Sequence, residues 1–144
     1  LRPEPGLIEV GYGEWSGKTF RQLLRRRLWT AVRETPSRVR FPGGETFGEV
    51  QARAVAAVDR IVTAHRRGTV VACSHADVIR LLIAHYSGVH LDLFQRVIVS
   101  PASVTAVALG EHPPRLLRVN DTGTLADLVP SAPPPRTARG PGKR

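Results

Sequence analysis

Thr69-Val70-Val71-Ala72-Cys73-Ser74 is an apolar, β-branched run without polar alternation, set between two stretches of helical periodicity. A strand that alternates can keep one face in water. One without alternation has to be covered on both faces, as inside a parallel sheet flanked by helices. The run therefore predicts a layered α/β domain, and its neighbours agree. Before it, Thr46-Phe47-Gly48-Glu49 matches a capping box, in which hydroxyl and carboxylate each satisfy a backbone N–H at a helix start. Phe47, Val50, Ala54, Val58, Ile61, Val62 and His65 then fall on one helical stripe of about five turns, with Gly68 as its C-cap. After the run, a second helix is predicted from about Ala76 to Tyr86, closed by Gly88.

The flanks fit the same plan. Leu7 to Val10 reads as a strand end, followed by a turn-rich segment to Gly17. Thr19-Phe20-Arg21-Gln22 is another capping box, and Phe20, Leu23, Leu24, Leu28, Ala31 and Val32 predict a single helix ending before Pro36. Thr35 to Gly44, with two Pro and two Gly, reads as a long mobile loop. Ser103–Leu109 and Arg115–Val119 are too close for a crossover helix and predict an antiparallel hairpin at the sheet edge. One domain over 1–129 is expected. Residues 130–144, rich in Pro, Ala and Gly, bury almost nothing apolar and read as a disordered basic tail.

Several function classes are excluded or disfavoured. Cys73 is the single cysteine, and CxxC and HExxH do not occur, so an internal disulfide, cysteine-ligated zinc and zincin chemistry are ruled out by count. No metal or other cofactor is expected. No run reaches the length of a membrane span and the first residues form no apolar signal core, which makes a cytoplasmic protein without a membrane partner the expectation. The net charge of +9 invites a nucleic-acid reading. Arg136, Arg139, Lys143 and Arg144 supply four of those charges from the tail, so nucleic-acid binding has only the tail for support. The chain contains no Met and begins with Leu, and the expectation is a piece of something longer.

Two apparent phosphate motifs fail on spacing. For Gly17-Lys18-Thr19 to close a P-loop, the first glycine would have to stand where Tyr12 is. For Gly11 and Gly13 to open a dinucleotide fingerprint, the third would have to replace Ser16. Ser74-His75-Ala76-Asp77 is more informative, because it puts a polar cluster at the carboxyl end of the buried run and the amino end of the next helix. Free N–H groups there favour an anion, and His75 could donate to it or move a proton. The competing reading makes Ser74 or Asp77 a helix cap and His75 a structural histidine. Glu9 stands in an apolar run, where it pairs with an Arg, points outward, or faces a pocket as a carboxyl of raised pKa. His65 falls on the apolar stripe of its helix as a core or rim residue, His85, His90 and His112 have no carboxylate at catalytic spacing, and all four take structural or solvent roles.

Taken in order, these residues carry a resemblance. Leu7-Ile8-Glu9 with Gly13-Glu14-Trp15-Ser16-Gly17 resembles the "LxE…GxWxG" segment of the histidine phosphatase (phosphoglycerate mutase-like) superfamily. Phe41-Pro42-Gly43-Gly44-Glu45-Thr46 resembles its "PGGES" loop, and Val71 to Leu82 its "VSHGGVIRxL" unit. Pro101 to Thr105 and Val119 to Gly123 resemble the late "NAS(I/V)T" and "(V/L)NDT" segments, so the match covers roughly 7 to 125.

The resemblance implies a three-layer α/β/α phosphoglycerate mutase-like sheet with an edge hairpin, here without its N-terminal strands. It implies a phosphomonoester phosphatase or phosphomutase acting on a small phosphorylated metabolite through a phosphohistidine, without a metal. By position Glu9 resembles the family's acid for the leaving oxygen, His75 its second phosphate-binding histidine, and the Ala76 N–H faces the phosphate. No Arg-His dipeptide occurs in the chain, so the nucleophile, its adjacent Arg and the second phosphate Arg are absent. Ala76-Asp77 in place of Gly-Gly and Pro101 in place of Asn are smaller departures. The chain alone is expected to be inactive, and the alternative is a non-catalytic phosphate-binding or scaffold relative. Substrate, oligomeric state and the choice between phosphatase and mutase stay open.

Overall fold

The structure, a computed structural model, describes residues 1–66 and 68–123. Six regular elements are present among them: α1 (Phe20–Leu23), α2 (Arg27–Glu34), α3 (Phe47–Ala64), α4 (Ala76–Ser87), β1 (Val104–Ala108) and β2 (Arg115–Asp121). The tail at 130–144, and the domain limit at 129, lie outside the described residues.

The strongest local signals are fulfilled. At the start of α3 the Thr46 hydroxyl accepts from the Glu49 N–H at 3.1 Å and the Glu49 carboxylate accepts from the Thr46 N–H at 2.8 Å, which is the reciprocal capping box. The Arg40 guanidinium beside Glu49 and that backbone bond hold its carboxyl down to about 2. Helix α4 ends at Gly88, whose φ of +68° is the left-handed conformation that lets the last carbonyls be closed off. The two helices pack on each other through Val50, Ala54 and Ala57 of α3 and Val78, Leu81 and Ala84 of α4. From this seam the core continues as a chain of aromatic contacts. Phe94 meets Phe47 with ring centroids 4.8 Å apart, Phe47 meets Phe41 at 5.3 Å, and Phe41 meets Trp15 at 5.3 Å. Such pairs add about 0.5–1.5 kcal/mol each beyond the area they bury. The predicted hairpin forms as β1 and β2, antiparallel from Val104↔Asp121 to Ala108↔Arg115 with two register irregularities.

Four expectations are corrected. The helix predicted from Phe20 to Pro36 is divided into α1 and α2, with Arg26 extended between them (φ −85°, ψ 136°). The break turns Leu28, Trp29 and Val32 onto the core, where Trp29 stacks on Trp15 and the Val32 carbonyl accepts from the Gln95 side chain, contacts distant in sequence that an unbroken helix does not provide for. The stretch from Thr35 to Gly44 is not a free loop. It contains a short helical turn, Pro36–Arg38, and buries Pro36, Val39 and Phe41. His65, rather than Gly68, is the C-cap of α3, and it lies exposed instead of on the core stripe.

The fourth correction is the largest. Residues 69–74 form no strand, and Val71 is 91% exposed and Val70 47%. Leu7 to Val10 likewise ends a helical turn, Pro5–Leu7, and then runs on without strand pairing. The composition of the run is that of a buried strand, but a strand exists only as a member of a ladder. Among the described residues no neighbour pairs with it.

Candidate active site

The site is built at the amino end of α4. His75 is the N-cap residue in extended conformation (φ −104°, ψ 156°), and no side chain caps the helix. The first-turn N–H groups, Ala76's among them, lack intrahelical acceptors by geometry and carry the positive end of the helix dipole. The competing reading of Ser74 and Asp77 as caps is excluded. The Ser74 hydroxyl donates to the Leu7 carbonyl at 2.7 Å, and Asp77 is engaged elsewhere.

Glu9 is delivered to this helix end by a network that fixes the backbone before it. The Arg53 guanidinium, projecting from α3, donates to the carbonyls of Gly6 (2.9 Å), Ile8 (3.0 Å) and Glu9 (2.9 Å). Its remaining N–H groups bind both oxygens of Glu45 at 2.7 and 3.0 Å, so the planar fork is saturated. Glu45 in turn accepts from the Gly11 N–H at 2.7 Å. The Arg53 bond, with the Gly11 N–H adding to it, holds the Glu45 carboxyl below the usual glutamate range. The segment can lie this close to α3 only because residue 6 is glycine: a Cβ there would sit 2.5 Å from the Ala57 Cβ.

The outcome is that Glu9 and His75 meet. The Glu9 Oε2 lies 3.5 Å from His75 Nδ1, both side chains are about half exposed, and Glu9 Oε1 accepts from the Val10 N–H at 2.9 Å. Of the three readings open for Glu9 from sequence, pairing of its carboxylate with an Arg is not realised: Arg53 takes its carbonyl only. A half-exposed carboxylate, an imidazole and an uncapped helix end at one place can hold an anion and exchange a proton with it.

Beside this pair lies a second polar group. The Tyr12 hydroxyl donates to Asp77 Oδ2 at 2.8 Å and Arg80 Nη1 donates to Asp77 Oδ1 at 2.9 Å. Burial, with the Asp77 charge behind it, pushes the Tyr12 phenol far above its ordinary value, so it remains a donor. Of the other acids weighed at the site, Glu14 is exposed and Asp77 already serves two donors. The remaining histidines have local roles: His90 Nδ1 accepts from the Asp92 N–H, His85 packs against Tyr86, and His65 and His112 are exposed. Gly17 (φ +75°) is a turn before α1, as the spacing argument required.

Sequence reasoning missed Arg53 and Tyr12. Arg53 carried a usable signal, since it stands between Val50 and Ala54 on the apolar stripe of α3, where a charge has to find a partner. Tyr12 carried none.

Comparison with known proteins follows the same geometry. Residues 1–122 match the family model described as the histidine phosphatase superfamily (branch 1). Phosphoserine phosphatase 1 of Hydrogenobacter thermophilus is 28% identical over 134 residues, covering 90% of this chain and 62% of that protein. The solved structure of YhfR from Bacillus stearothermophilus superposes with a TM-score of 0.77 at 26% identity, covering 82% of this chain and 60% of that one. The α-ribazole phosphatase of Shigella flexneri superposes with a TM-score of 0.69 over 82% of this chain and 59% of its own, and at 21% identity it speaks to the fold alone. The chain thus spans about three fifths of the length of each. The α/β fold class is that of these phosphatases, and the described helices and hairpin are part of it. No helix among the described residues is long and apolar enough to cross a membrane.

Proposed function

The chain belongs to the histidine phosphatase superfamily, and from that membership we propose that it supplies the acid and phosphate-binding half of a phosphomonoester phosphatase or phosphomutase. The attacking histidine comes from outside these 144 residues, since no Arg-His dipeptide occurs in them. The observation that carries the reading is the approach of Glu9 to His75 at 3.5 Å beside the uncapped end of α4. The substrate is a small phosphorylated metabolite, the class that the name of phosphoserine phosphatase 1 gives for that relative.

In this mechanism the phosphoryl group lies against the α4 terminus. The Ala76 N–H and the His75 imidazole donate to its equatorial oxygens, where charge concentrates in the transition state. As the bond from phosphorus to the leaving oxygen breaks and the bond to the attacking nitrogen forms, the protonated Glu9 carboxyl passes its proton to the leaving oxygen. In the second step Glu9, now a carboxylate, takes a proton from the water that attacks the phosphohistidine, or from a second alcohol in a mutase. Arg53 holds the backbone of Glu9 in place throughout, and the proton traffic requires no metal.

A second reading has its own observation. A chain without an Arg-His nucleophile can bind phosphate and turn nothing over, which fits a non-catalytic phosphate-binding or scaffold role. Turnover of p-nitrophenyl phosphate separates the two. The 144 residues alone should not exceed background, while the same segment in a longer chain that carries an Arg-His strand should be active. Replacing His75 by Ala there should lower the rate about 10²- to 10³-fold. Phosphate binding without turnover in every such chain would establish the second reading.

A further inference from the structure

A cavity of about 490 Å³ opens beside the Glu9–His75 pair, and neither the acid nor the phosphate donors use it. Its walls are aromatic: Tyr12, Trp15, Phe20, Trp29, Phe41 and Phe47. They hold one another in place, with Trp15 stacked on Trp29 at 6.0 Å and Phe20 edge-on to Trp29 at 5.8 Å. The cavity shares its boundary with the site, because Tyr12 is three residues from Glu9, Asp77 is two from His75, and both line it. Its volume falls in the range of roughly 300–1,000 Å³ that small-molecule pockets occupy.

The polar groups in the wall restrict the occupant further. Asp77 is the cavity's one carboxylate and is taken up by the Tyr12 hydroxyl and Arg80. It also neutralises Arg80, which leaves Lys18 as the uncompensated charge on the wall. An ammonium group entering here finds no free carboxylate and meets a like charge.

We propose that this cavity receives the leaving group of the substrate and selects phosphomonoesters of flat, apolar alcohols over phosphoamino acids. The inference rests on the phosphate-site reading above and adds the substrate class to it. The orientation follows from the geometry: phosphate at the α4 terminus, the scissile oxygen at Glu9, and the alcohol's ring against the open faces of Tyr12, Phe20 and Trp29.

Trp15 and Trp29 are the chain's two tryptophans, so intrinsic fluorescence reports on this cavity without any turnover. The 144-residue chain is titrated with benzylphosphonate, methylphosphonate, O-phosphoserine and benzyl alcohol, with affinities from calorimetry and tryptophan emission read in parallel. Benzylphosphonate should bind on the order of tenfold or more tightly than methylphosphonate or O-phosphoserine, the preference that burying an aryl ring produces, and should shift the emission. Trp29→Leu should bring the ratio of the two phosphonate affinities toward one. If that variant does not fold, the ratio on the unaltered chain decides alone. Equal binding of the two phosphonates, or tighter binding of O-phosphoserine, overturns the proposal and leaves the phosphate site standing. Benzyl alcohol acting as strongly as benzylphosphonate overturns the phosphate-site reading instead, because the phosphonate group then contributes nothing. An emission unchanged by every aromatic probe overturns the cavity assignment outright.

Discussion

Val50 and Val71 come from stretches of similar apolarity, yet the first is fully buried and the second 91% exposed. The difference lies in what each kind of backbone requires. In α3 the amide groups are satisfied within the helix, so the stripe needs only one cover, which α4 provides. Residues 69–74 need partners on both edges and covers on both faces; among the described residues no strand pairs with them, and Val71 stays 91% exposed. A helix can be completed locally, whereas a central strand is completed by the rest of its sheet. The well-packed half of the molecule nevertheless holds the site, because Glu9 and His75 are positioned by Arg53, Ser74 and α4 rather than by sheet pairing.

Removing Arg53 should break this comparison most severely. Arg53→Ala strands the Glu45 carboxylate and three carbonyls, and about 3 kcal/mol of stability should be lost, read as the denaturant midpoint. Arg53→Lys should recover only part of it, since an ammonium cannot reproduce the fork. Next in size is the valine pair. Val50→Ala empties a buried site and should cost about 2 kcal/mol, while Val71→Thr in the 144-residue chain should stay within about 0.5 kcal/mol. The same Val71→Thr change in a longer chain that completes the sheet should cost as much as the core substitution. Equal effects in both contexts would mean that the run is never a strand.

The smallest expected effect is a pH dependence. Glu45 and Glu49 both have folded-state values below the ordinary carboxylate value of 4.5, the first through its bond to Arg53 and the second through Arg40. Stability from a depressed carboxyl is present above its unfolded value and lost as pH falls through the folded one. The melting temperature should therefore decline as pH falls below about 4.5, and Glu45→Gln should shallow that decline.

What was legible in the sequence follows the same division. Capping at Thr46, the C-terminal stop at Gly88 and the β1–β2 hairpin depend on neighbours within a few residues, and each is found where the sequence places it. The break at Arg26 and the burial of Val39 and Phe41 depend on contacts distant in sequence, and periodicity carries no record of those. In the site, Glu9 and His75 stand out by position, their roles and Ala76 come from the motif resemblance, and the first two are brought together across the chain. Arg53, which draws the Glu9 backbone in, is hidden because the carbonyls it binds lie 44 to 47 residues away in sequence, beyond the reach of periodicity.

The central claim is that Glu9 protonates the leaving oxygen while His75 binds the phosphoryl group, and the dependence of rate on the leaving group tests it most directly. In a catalytically complete protein containing this segment, Glu9→Gln should slow hydrolysis of an alkyl phosphate about 10²- to 10⁴-fold more than that of p-nitrophenyl phosphate, whose leaving group needs no proton. His75→Ala should depress both substrates alike. Equal losses on the two substrates for Glu9→Gln would contradict the account and make Glu9 a residue that positions phosphate or structure, with the acid to be found elsewhere.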